Sequence, residues 1–155
     1  MEYMNGLSAM ISVRSEQREH DNEDPEVIEF ITDGKYLSYG GRSLISYDES
    51  ELTGLVGART TISVEGNRVT VARSGSVQSQ MVFEKGHRHI SLYETELGTL
   101  VVGINSFEVD SRFGKNGGRL SLGYSVEVDD VAATKNRFIV NVAAKNTPID
   151  NSIFE

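Results

Sequence analysis

The chain contains no cysteine. That excludes disulfides, thiolate metal sites and thiol nucleophiles together. Proline is almost missing: Pro25 and Pro148 are the only two, and both sit in polar links where a lost backbone donor does little harm. No apolar run approaches the ~20 residues needed to span a bilayer. The opening stretch MEYMNGLSAMISVRSEQREH lacks the basic head and apolar stretch of a signal peptide. Positive charge is scarce, with 15 lysines and arginines against 23 acidic residues and a net charge of −8. Such a surface repels phosphate backbones and anionic lipid, so neither nucleic acid nor a membrane is an expected partner. A cytoplasmic protein is the simplest expectation.

What is present points to strands. Leu120, Leu122, Tyr124, Val126 and Val128 recur at period two, with Ser121, Ser125, Glu127 and Asp129 between them. That alternation buries one face of a strand and wets the other. TISVEGNRVTVAR reads as a hairpin with Gly66-Asn67 at its tip, and MVFEKGHRHISL as another turning at Lys85-Gly86. YETELGTLVVG turns near Gly98, and FGKNGGR forms a longer loop. Residues 9–18, 26–33, 36–48 and 136–143 also read as strands. The only helical candidate is a turn around Asp130–Lys135. The length of 155 residues suggests one domain: a barrel over residues 1–145, with 146–155 as a flexible tail whose Ile149, Ile153 and Phe154 are positioned to dock. Consecutive hairpins with one apolar face each hide that face by closing. The expected fold is therefore all-β, a single antiparallel up-and-down barrel of about eight to ten strands, whose interior is filled by side chains or holds one small ligand.

The stretch from Tyr47 to Gly98 carries a further signal. Tyr47, Glu49, the pair Thr60-Thr61, Arg73-x-Gly75, Met81-x-Phe83, Gly86, Tyr93-x-Thr95 and Gly98 follow one another over some fifty residues, about a third of the chain. In that spacing the chain resembles the YwiB-like proteins, uncharacterised bacterial β-barrels of the lipocalin-like (calycin) type. Leu97 departs from the pattern, where an aromatic residue is expected before the glycine. The resemblance implies a lipocalin-like barrel in the bacterial cytoplasm and no particular activity. The chain has no tryptophan, so neither the lipocalin Gly-x-Trp entrance nor an avidin-type biotin stack is available. The Arg-x-Tyr clamp of fatty-acid-binding proteins is absent from NRFIVNV.

Two groups of side chains carry chemistry. His87-x-His89 has a metal-ligand spacing on a strand, and Glu94 would complete a cupin-like set. Parity argues against it. If Lys85-Gly86 is a two-residue turn, Met81, Phe83, Ile90, Leu92 and Glu94 share the inner face, and both histidines point outward. No metal ligand is therefore assigned, and no cofactor is implied. The second group lies inside. Arg73 continues the inner face of Val69 and Val71 opposite Thr60, and the same bookkeeping brings Glu94 to that end, with Tyr47 and Tyr93 nearby. An inward charge needs a partner. Arg73 with Glu94 forms either an ion pair that plugs the end or a site for the carboxylate or phosphate of an amphipathic ligand. Other groups are weaker. GKNGG lacks the residues of a phosphate loop, Ser76 lacks a nucleophile elbow, and Asp48–Glu51 and Asp129-Asp130 read as solubilising charge.

The leading expectation is a non-catalytic barrel that binds a small amphipathic or anionic ligand at Arg73, Glu94, Thr60, Tyr47 and Tyr93. One alternative is a solid-cored interaction module, a homodimer in its simplest form, with contacts at Gln78, Gln80, His89, Tyr93 and Ile153-Phe154. A cupin-like metalloenzyme is the other.

Overall fold

A computed structural model describes residues 6–148 apart from residues 22 and 96. The expected alternation appears as ten strands: β1 (Leu7–Arg18), β2 (Glu26–Tyr39), β3 (Arg42–Asp48), β4 (Ala58–Glu65), β5 (Arg68–Gly75), β6 (Ser79–Glu84), β7 (Arg88–Thr95), β8 (Gly98–Gly114), β9 (Gly117–Val128) and β10 (Val131–Pro148). The helical turn expected at Asp130–Lys135 is instead the start of β10. Asp129 and Asp130 both take positive φ there, 50° and 66°, which makes a tight hairpin turn that Asp tolerates better than most residues. Among the described residues the one helical segment is a 3₁₀ turn over Glu51–Thr53, and no helix is long and apolar enough to cross a membrane.

All ten strands join one antiparallel sheet in the order β6-β5-β4-β3-β2-β1-β10-β9-β8-β7. Every neighbour except β1–β10 is consecutive in the chain, so the sheet is an up-and-down barrel whose seam falls between β6 and β7. The expected break after residue 33 does not occur. β2 runs unbroken to Tyr39, and the chain turns at Gly40-Gly41, where φ values of 56° and 78° call for glycine. Gly34 keeps that long strand close to its neighbours: a Cβ there would collide with Ile11 Cδ1 and the Ser46 carbonyl.

The inner face is continuous. Ile11, Ile45, Ile62, Val69, Val71, Phe83, Ile104, Leu120, Leu122 and Val140 are buried together. Tyr36 closes one end of the barrel. Its ring lies 6.0 Å from that of Phe113, and its hydroxyl donates to the Gly114 carbonyl at 2.5 Å. The opposite end opens. Along the inner face of β8, exposure rises from 0% at Ile104 to 6% at Val102 and 36% at Leu100.

β7 departs from the expected parity. The expected ladder between β6 and β7 is absent from the sheet order, and β7 pairs with β8 instead. In that register His89 faces Ile104 and Ser91 faces Val102. Both β8 partners are buried, so His89, Ser91 and Tyr93 share the inward side. Ile90 and Leu92, expected inside, are exposed at 57% and 68%. The apolar-inward rule failed here because the neighbouring strand, not the apolar content of β7, sets its face.

Candidate functional site

At the open end β3 and β5 finish side by side across β4, with Tyr47 opposite Thr60 and Thr60 opposite Arg73. Period two then places Glu49 on the face of Ile45 and Tyr47. The Glu49 amide donates to the Ala58 carbonyl at 2.9 Å, which extends the strand geometry by one residue. The chain next makes its 3₁₀ turn. The Ser50 hydroxyl caps it by accepting from the Leu52 amide at 3.2 Å, and Gly54 ends it at a φ of 74°. The turn folds Thr53 back onto the carboxylate it has just left.

Glu49 is consequently the buried acid of this site, with a side chain only 1% exposed. Thr60 donates to its Oε1 at 2.5 Å and Thr53 to its Oε2 at 2.9 Å. Arg73 Nε stands 3.6 Å from Oε1, an ion pair without a hydrogen bond, and the arginine side chain is 19% exposed. Arg73 Nε is buried and has no hydrogen-bond partner among the described residues. The threonines occupy the carboxylate, so the Arg73 Nε donor stays unused.

Three tyrosines surround the pair. Burial chiefly, and the Glu49 charge secondarily, push the Tyr47 hydroxyl well above the ordinary tyrosine range, with Arg73 and Thr60 opposing. Burial pushes Tyr124 up to about 12; Arg73 pulls against that shift, and Tyr93 adds to it. Arg73 is thus close enough to both hydroxyls to oppose each shift. Phe30 packs edge-on to Tyr47 with ring centroids 5.9 Å apart, and Phe83 packs on Tyr124 at 4.6 Å. Phe30, Tyr93, Tyr124 and Val126 line the inner face while staying only partly buried. The result is a cation and a buried carboxylate on the inner face, with partly buried aromatic side chains packed around the same end of the core. A separate recess of about 490 Å³ lies beside it, lined by Asp48, Glu49, Gly57, Ala58, Arg59, Ser74 and Gly75.

Of the residues expected from the sequence, Arg73, Thr60, Tyr47 and Tyr93 gather here. The Glu94 backbone pairs with Thr99 in the β7–β8 ladder; its side chain, and with it the expected approach to Arg73, lies outside the described residues. Glu49 is the acid set against Arg73 among the described residues, which corrects the reading of the whole Asp48–Glu51 stretch as solubilising charge. The signal is in the sequence: Ile45, Tyr47 and Glu49 alternate past the end of β3. Tyr124 was seen as a strand residue but not as part of the site.

The Glu94 side chain of the cupin-like set lies outside the described residues, and His89 has another carboxylate beside it. His89 Nε2 meets Glu84 Oε1 at 3.0 Å across the β6–β7 seam, and the rings of His87 and His89 stand 6.4 Å apart. Among the described residues no cluster of three or more His, Cys, Asp or Glu is placed to hold a metal ion. The Glu84 carboxyl lies below its ordinary range, chiefly through the hydrogen bond from His89.

The fold and this end together define a class: a nearly closed, ten-stranded antiparallel β-barrel with a charged pair set inside one mouth. Residues 11–139 match the family described as a domain of unknown function (DUF1934), and the chain belongs to that family. It is 32% identical over 110 residues to the uncharacterized beta-barrel protein YwiB of Bacillus subtilis (strain 168), covering 71% of this chain and 76% of that protein. The crystal structure of the ywiB protein from Bacillus subtilis superposes with a TM-score of 0.76 at 25% identity, covering 91% of this chain and 94% of that one. The likeness expected from Tyr47–Gly98 therefore extends over most of the barrel.

Proposed function

We propose that this barrel is a non-catalytic binding protein for a small amphipathic anion. The ligand's carboxylate or phosphate lies on Arg73, and its apolar part lies along Phe30, Tyr93, Tyr124 and Val126. One observation carries the reading: a four-fifths-buried arginine, whose buried Nε has no hydrogen-bond partner among the described residues, sits on the inner face at the end where the aromatic side chains are only partly buried. Burying a guanidinium with an unused donor is costly unless something accepts from it. Glu49 holds the cation in place without saturating it.

The test is calorimetric titration with decanoate and with octyl phosphate. Wild-type protein is compared with the paired replacement Arg73→Met/Glu49→Leu, which removes both charges and leaves neither buried alone. The expected result is saturable binding that weakens at least tenfold in the paired variant. Equal affinity in the two proteins refutes the reading.

A second reading has its own observation. Ile90 and Leu92 stand exposed on the outer face of β7, which suits an interaction module, in the simplest case a homodimer. A monomer in sedimentation at high protein concentration argues against self-association.

A further inference from the structure

The β8–β9 hairpin concentrates positive charge on an acidic protein. Its segment from Arg112 to Arg119 reads RFGKNGGR. Arg112 and Arg119 face each other directly across the ladder, and the next pair on the same face is Asp110 with Ser121. These four residues line a recess of about 280 Å³. Like charges placed directly opposite on a sheet repel. The chain has 23 acidic residues to spend on them, and it pairs other surface cations readily: Arg14 with Glu29, Arg59 with Asp48, Arg88 with Glu127, Arg137 with Glu108 and Lys145 with Asp33. Yet among the described residues Arg112, Lys115 and Arg119 form no ion pair, although Asp110 shares their recess.

The hairpin is also held stiffly. Phe113 packs on Tyr36 from within, the Tyr36 hydroxyl bonds the Gly114 carbonyl, and the Ala144 amide bonds the Asn116 carbonyl at 3.0 Å. The outward arginines therefore stand on an anchored frame, and binding costs little ordering. Two guanidinium groups side by side offer planar forks that match an oxyanion with several oxygens.

We propose that the outer face of the β8–β9 hairpin is an oxyanion site in which Arg112 and Arg119 bind a phosphate-bearing small molecule. Asp110 limits the affinity and sets the side from which the ligand enters. The Ser121 hydroxyl is already turned to Glu108 Oε1 at 3.3 Å and takes no part. The site stands on the wall of the barrel near its closed end, independent of Arg73.

Calorimetric titration with pyrophosphate, and with citrate as a carboxylate of similar charge, tests it on four proteins: wild type, Arg112→Gln/Arg119→Gln, Asp110→Asn and Arg42→Gln. Arg42 is a surface cation on another strand. Wild type should bind pyrophosphate more tightly than citrate. The double replacement should weaken pyrophosphate at least tenfold while melting no lower than wild type, because it relieves a repulsion. Asp110→Asn should tighten binding several-fold, and Arg42→Gln should leave it unchanged. No pyrophosphate binding by wild type, equal binding by the double variant, or equal weakening by Arg42→Gln overturns the proposal. Tighter binding of citrate than of pyrophosphate overturns the phosphate assignment.

Discussion

Replacing Glu49 by Gln tests whether the charged pair inside the mouth is an energetic unit. At the 3.6 Å separation of Arg73 Nε and Glu49 Oε1, an effective dielectric of ~20 gives an attraction of about 4–5 kcal/mol. Two effects reduce what the substitution removes. Arg73 retains some contact with water, and a Gln carbonyl still accepts from one threonine. The expected loss is about 2–3 kcal/mol, below the ~3–5 kcal/mol for breaking a fully buried pair. For a chain of this length that lowers the melting midpoint by about 5–10 °C. Arg73→Met should cost more, about 3–5 kcal/mol, because it strands a carboxylate whose side chain is only 1% exposed. The paired replacement Glu49→Gln/Arg73→Met should be much less destabilised than the sum of the two, since each single change leaves an uncompensated partner. Thermal and guanidinium melts followed by circular dichroism read all four corners of the cycle. A Glu49→Gln midpoint within a degree of wild type, together with additive single effects, would show that the two charges are not coupled and that Arg73 is balanced by water.

Further expectations follow from the same structure. The neutral form of Tyr124 is favoured in the folded state, with a folded value of about 12 against 10.0 for an ordinary tyrosine. Its contribution is therefore complete below pH ~10 and is lost as pH rises through ~12, on the order of 2–3 kcal/mol. Absorbance at ~295 nm should show a tyrosine ionising near pH 12 that Tyr124→Phe removes, and that variant should resist alkaline unfolding better than wild type. Gly34→Ala should destabilise by about 1–3 kcal/mol or more, because the added carbon meets Ile11 and the Ser46 carbonyl; unchanged denaturant midpoints would mean that β2 shifts freely. Tyr36→Phe keeps the ring contact with Phe113 and removes only the donor to the Gly114 carbonyl. A loss of about 1–2 kcal/mol is expected, with faster amide exchange localised to residues 112–119, and uniform exchange would deny that the hydroxyl anchors this hairpin.

The alternation of side chains was enough to specify strands, most of their hairpins and an antiparallel sheet that nearly closes, because period two commits each strand to one buried face wherever that face is apolar. It also placed Arg73 inside, since Val69, Val71 and Arg73 run on one parity between partners that obey the same rule. Two things lay beyond it. The face of β7 was decided by its ladder with β8, whose register turns His89 and Ser91 toward buried partners and leaves Ile90 and Leu92 to water. The partner of Arg73 was decided by the path of the chain after β3. A 3₁₀ turn brings Thr53 onto Glu49, β4 supplies Thr60, and together they bury that carboxylate. Local pattern dictates which way a side chain points along its own strand. Which charges then meet depends on how distant strands and the turns between them are brought together, and only the closed barrel holds that information.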